Sequence, residues 1–180
     1  MSTSYEKCSW AYENFATVVS ALRSPLLLAI RLYWGFLFAQ TGWGKLQNLE
    51  RVTGFFASLG IPFPHANAIF VSGLEVAGGI LLILGLGSRL TALLLTGDMV
   101  VAYLTADRAA LLSIFSDPPK FFDAAPFTFL FASLLILILG PGGASIDALI
   151  ARANKRAMPR QQEPTVKPYE AGQTRIRNAS

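Results

Sequence analysis

With 180 residues, 53% of them hydrophobic and only 14% charged, the chain is one domain's worth of sequence, far below the roughly 25% charged composition of ordinary soluble domains. It reads as a membrane protein, because four apolar runs near bilayer length are hard to bury in so small a soluble fold. One cysteine, Cys8, and one histidine, His65, exclude a paired-thiol redox centre and a bis-histidine haem. No cluster has metal-ligand spacing, and neither a metal nor a nucleic-acid partner is expected.

Residues 1–24, with Trp10, Tyr12 and Phe15 among polar neighbours, are expected to form a short amphipathic or loosely ordered lead-in with interfacial anchors. The apolar run from Pro25 to Lys45 follows and reads as a retained first span, since a cleavable signal peptide should be shorter and end in small residues at a clear cleavage site. On a helix, Arg31, Gly35, Phe38, Gly42 and Lys45 fall within about 40° either side of one line, giving a charged, glycine-notched face. The surrounding leucines, isoleucine and phenylalanines offset the roughly +2.5 to +3.5 kcal/mol of an intramembrane arginine.

Leu49, Val52, Phe55, Phe56 and Leu59 recur at helical spacing over 48–59, which suits a helix lying in the interface, stopped by the Ile-Pro-Phe-Pro run at 61–64. A second span over about 66–85 carries Glu75 beside Gly73, Gly78 and Gly79. After a tight turn at 85–89, a third span over about 90–105 carries Asp98, in one stripe with Thr91, Ala102 and Thr105. The segment 109–125 reads as a loop with interfacial aromatics, and a fourth span runs from Pro126 to Gly140. Ser145 and Asp147 then look like a helix start leading into a short basic amphipathic helix. The basic tail after it, ending the 151–180 region, is polar and proline-rich, and disorder is expected there.

The fold expected is therefore all-α: an integral bundle of four transmembrane helices over 25–150, with an interfacial helix after the first span and a basic C-terminal tail. Ten Lys and Arg residues fall on the side of the termini and of the 85–89 turn against four on the other, which places both termini in the cytoplasm. At 1.5 Å per residue Arg31, Glu75 and Asp98 come to the centre or inner half of the membrane, and Arg31 is expected to pair with Glu75 and with Asp98 in reach. Lys45 is expected to snorkel at the outer end of its helix. Such a cluster is either a fold-specifying ion pair or a polar cavity for a small molecule or proton, and Gly35, Gly42, Gly78 and Gly79 either bring helices together or make room for a ligand.

The run Arg31-x3-Gly35-x6-Gly42-x2-Lys45-Leu46, then Gly60-Ile-Pro-x10-Ser72-Gly73-x-Glu75-x2-Gly78-Gly79-x-Leu81-x3-Gly85, and Gly140-Pro-Gly-x2-Ser145-x-Asp147 resembles the DoxX family of small four-helix membrane proteins over about residues 25–150. Asp98 and the chain after Asn154 lie outside that pattern. The resemblance implies a cell-membrane subunit of a quinone-linked redox assembly, of thiosulfate:quinone or quinol oxidase type, or of a thiol-stress assembly, with quinone as the one cofactor it suggests. A protein partner or homo-oligomer goes with that reading, because the chain lacks the groups of a complete redox enzyme. A non-catalytic anchor for a soluble redox enzyme and a small-molecule or lipid carrier are the alternatives.

Overall fold

The computed structural model describes residues 2–157, and every element in them is helical. They are α1 (Ser2–Gln47), α2 (Leu49–Ser58), α3 (Pro64–Leu84), α4 (Ser88–Thr105), α5 (Arg108–Leu112), α6 (Pro118–Phe122), α7 (Pro126–Leu139) and α8 (Ile146–Ala157). Two helical stretches, Tyr12–Gln47 and Pro64–Leu84, are long and apolar enough to cross a membrane; α7 is apolar but shorter.

The expected boundary at Ser24 and Pro25 is not a helix end. Helix α1 runs through Pro25, although an internal proline removes one backbone bond and costs about 3 kcal/mol. The turn around it is held from outside: Arg23 donates to the Leu139 carbonyl, and the Ser24 hydroxyl accepts the Gly143 N–H at 3.0 Å. The lead-in is thus helical and continuous with the span, and its Trp10, Phe15 and Val18 side chains are exposed.

Helix α2 has the expected amphipathic pattern and no fully buried residue. Helix α3 begins with Pro64 at its first position and ends at Gly85 in the left-handed conformation (φ 69°), both standard terminus chemistry. The segment 109–125 is more ordered than a loop, holding the single turns α5 and α6. Tyr103 fixes it by donating from its hydroxyl to the Phe121 carbonyl at 2.8 Å and stacking on the Phe121 ring. Of the tail, residues 151–157 belong to α8, and 158–180 lie outside the described residues.

The closest packing is α1 on α3. A Cβ added at Gly35 would stand 2.8 Å from the Gly79 carbonyl, and one at Gly42 would stand 2.7 Å from the Ser72 carbonyl and 2.8 Å from the Glu75 Cβ. The glycines therefore let two backbones touch, and rising numbers in α1 against falling numbers in α3 make the pair antiparallel. Helix α4 turns back on α3 and packs on α7, where the Thr96 hydroxyl donates to Ser133 at 3.0 Å. Helix α7 returns to α1 through an edge-to-face contact of Phe38 with Phe129. Phe38, Leu82, Ala92, Leu95, Met99 and Ile136 fill the centre.

Candidate functional site

The residues singled out from the sequence separate into two groups, one at the Gly85 end of the packed helices and one near the middle of α3 and α4. At the Gly85 end, Arg31 is fully buried and donates to the Ala144 carbonyl, with Asp147 within electrostatic range. Asp147 accepts the Gly87 and Ser88 N–H groups at 2.8 and 2.9 Å through its two carboxylate oxygens, and its own N–H donates to the Gly85 carbonyl at 3.0 Å. Burial alone would raise its pKa, but the two backbone donors at the start of α4 and the Arg31 charge outweigh it and leave the carboxyl below its ordinary value. The Ser145 hydroxyl accepts the Ala148 N–H at 3.1 Å, the expected cap of α8. Gly85 is pressed against Arg31 and Ser145, so that a Cβ there would collide with both.

The expected Arg31–Glu75 pair does not form. Gly42, not Arg31, is level with Glu75, and Arg31 sits 11 residues before Gly42, which is roughly 16 Å along the helix. Depth counted from Pro25 puts Arg31 too far into the membrane, because α1 is already helical well before Pro25. Leu139 and Gly143 meet Arg23 and Ser24, and the Gly85 turn meets Arg31, so this whole stretch belongs to the end of the packed helices.

Near the middle of α3, Lys45 is the partner of Glu75 and is not a snorkelling bystander. Its Nζ lies 2.6 Å from Glu75 Oε1, with Glu75 at 2% side-chain exposure and Lys45 at 35%. Asp98, from α4, brings its carboxyl up to the Glu75 carboxyl, and Glu75 Oε2 and Asp98 Oδ2 are both buried without a hydrogen-bond partner. One ammonium thus faces two carboxyls. Fully ionised, the trio carries a net negative charge; one proton held between the carboxyls makes it neutral. Gly42 permits this arrangement, since any side chain there would displace Glu75. Gly78 is packed on Leu95, and Gly79 on α1 near Ala39. All four glycines are thereby spent on close approach of helices.

Lys45 and Glu75 form the polar floor of a cavity of about 610 Å³. Its walls are Val52, Phe55, Phe56 and Leu59 from α2, Val71 from α3, Met99 and Ala102 from α4, and Phe129 from α7, with Thr41, Asn67, Thr105 and Asp107 as further polar groups. Largely apolar walls converging on a few polar groups are the general form of a small-molecule site. The helical spacing of the apolar residues of α2 suits an interface. They are also the roof of this cavity, and the one available signal was that α2 directly follows Lys45. Among the described residues no group of three or more His, Cys, Asp or Glu could hold a metal.

The DoxX profile matches residues 26–108, the stretch that holds Arg31, Lys45, Glu75 and Asp98. The inner membrane protein YphA of Escherichia coli (strain K12) is 30% identical over 135 residues, covering 71% of this chain and 91% of its own length. The chain belongs to the DoxX family. Two further relatives are similar: "Putative oxidoreductase CatD" of Bacillus subtilis (strain 168), 25% identical over 71% of this chain and 89% of its own, and the inner membrane protein YqjF of Escherichia coli (strain K12), 27% identical over 69% and 91%. No solved structure matches. This DoxX protein is accordingly a membrane protein, helical in every element of its described residues, and its polar trio lies between helices that include both long apolar ones.

Proposed function

We propose that this protein is an inner-membrane subunit of a quinone-linked redox assembly, spanning the bilayer four times as a helix bundle with both termini cytoplasmic and holding a quinone-type headgroup against Lys45 and Glu75. The observation that carries the reading is the unpartnered, buried Glu75 Oε2 beside a lysine at the floor of a largely apolar cavity. The residues fit the group: the Lys45 ammonium is a donor for a carbonyl oxygen, Glu75 Oε2 an acceptor for a hydroxyl, and Phe55, Phe56, Val52 and Met99 offer apolar surface to a ring and tail. A bound quinone would supply the two-electron chemistry that the chain lacks. Lys45 orients the headgroup, the carboxyl pair of Glu75 and Asp98 holds or accepts a proton at Glu75 Oε2, and α2 covers one side of the ring. The electrons come from a partner protein, in line with the word oxidoreductase in the name of CatD.

Helix α4, at 18 residues, reaches about 27 Å and α7, at 14 residues, about 21 Å. The second suits a span shortened by the α5–α6 segment on one side and the arginine-bound loop on the other.

The test is extraction of the full chain from its native membrane in mild detergent, followed by quinone analysis and identification of bound proteins, for the natural protein and for Glu75→Gln. Retained quinone that is lost in a folded Glu75→Gln protein supports the reading. Absence of quinone from both, with the same soluble enzyme bound to both, would replace it with the anchor reading; a bound lipid or other small molecule in its place would make the protein a carrier.

A further inference from the structure

Three arginines from three helices converge on the C-terminal end of α7. Arg23 of α1 donates to the Leu139 carbonyl, and Arg152 of α8 donates to the Gly143 carbonyl at 3.4 Å. The guanidinium of Arg89, at the start of α4, lies beside Gly140, where an added Cβ would stand 3.4 Å from its Nη2 and 3.5 Å from its Nε. All three are exposed. Each guanidinium has five N–H donors, yet Arg23 and Arg152 each spend one on the loop, and Arg89 makes no hydrogen bond among the described residues. The neighbouring carboxylate, Asp147, is occupied by Gly87 and Ser88. A helix C-terminus accounts for one capping cation; it leaves Arg89 and most of the remaining donors unexplained.

What surrounds these arginines decides the ligand. One turn further along α1 and α4 stand Leu26 and Leu93, and on α7 stand Ile138 and Phe131, all exposed. The same surface therefore offers cationic forks at the end of the helices and apolar side chains immediately inward of them. A free anion would have no use for the second feature. We infer that Arg23, Arg89 and Arg152 bind the phosphate of an anionic phospholipid whose acyl chains lie along Leu26, Leu93 and Ile138. Arginine suits this task because its planar fork meets phosphate oxygens in pairs. The bound lipid ties α1, α4 and α8 to the end of α7, the shortest of the four packed helices. The site lies at the opposite end from the Lys45–Glu75 cavity and does not depend on what that cavity holds.

Native mass spectrometry of the full chain in neutral detergent, titrated with dioleoyl phosphatidylglycerol or dioleoyl phosphatidylcholine, tests it. The natural protein is expected to bind the anionic lipid at least tenfold more tightly, and excess inorganic phosphate is expected not to displace it. Arg89→Gln, which removes no internal hydrogen bond, is expected to weaken phosphatidylglycerol binding roughly fivefold, and Arg23→Gln/Arg89→Gln/Arg152→Gln to abolish the preference. Arg51→Gln/Arg108→Gln/Lys120→Gln, at the other end of the helices, removes the same charge and is expected to keep it. Equal loss in that control, or an undiminished preference in Arg89→Gln, would overturn the site and leave only general attraction to positive charge. Displacement by inorganic phosphate would show an anion site without lipid.

Discussion

Removing the Lys45 ammonium leaves Glu75, at 2% side-chain exposure, facing only Asp98. Breaking a buried ion pair from one side costs about 3–5 kcal/mol. Lys45 retains 35% of its side-chain exposure, and the orphaned carboxyl can take up a proton, so the low end applies: about 3 kcal/mol for Lys45→Met. At roughly 2–4 °C per kcal/mol for a chain of this size, the midpoint of thermal unfolding in detergent should fall by roughly 6–12 °C. Lys45→Met/Glu75→Gln removes both charges and should recover part of that loss, with a coupling energy of about 1–3 kcal/mol. The same cycle built on Arg31→Leu and Glu75→Gln should be additive within about 0.5 kcal/mol, because the two side chains are separated by roughly 16 Å of helix. Intrinsic-fluorescence melting of the six proteins gives all the terms. Additivity at Lys45–Glu75, or strong coupling at Arg31–Glu75, would refute the assignment of partners.

Gly42→Ala should lower stability by about 1–3 kcal/mol, because its new methyl meets backbone of α3, whereas Gly73→Ala, with nothing within 4 Å, should be neutral or gain up to about 1 kcal/mol from helix propensity; melting curves distinguish the two. Asp147 has a depressed pKa, so its contribution is present above the ordinary aspartate value of about 3.9 and is lost as pH falls through the depressed one. Asp147→Asn should therefore cost about 2 kcal/mol at neutral pH and flatten the acid limb of a stability profile. Reporter fusions after Leu59 and Phe121 should read as external and those after Arg89 and at the C-terminus as cytoplasmic; a cytoplasmic signal after Leu59 would invert the topology.

Helix positions were legible because proline, glycine and apolar period mark them locally: Pro64 and Gly85 bound α3, and Ser145 caps α8. The glycine face of α1 was legible for the same reason, since a small-residue stripe has few uses other than contact. Partner choice was not. It depends on the register of α1 against α3, which Gly35–Gly79 and Gly42–Ser72 set in space, and a depth scale that begins at Pro25 assigns Arg31 to the wrong layer. Arg31 and Asp147 are 116 residues apart in sequence, and no local pattern announces that Asp147 caps the start of α4. The continuity of α1 through Pro25 likewise rests on bonds from Arg23 and Ser24 to the distant 139–143 segment.

The claim that Lys45 and Glu75 form the floor of a headgroup site is tested most directly by photolabelling the full chain in membranes with an azido-quinone and mapping the modified peptides. Labelling is expected in 52–59 and 99–107, the roof and wall of the cavity, to be displaced by unmodified quinone, and to disappear in Glu75→Gln while that variant remains folded and inserted in the membrane. Label confined to other segments, or identical labelling of 52–59 in Glu75→Gln and the natural protein, would contradict it.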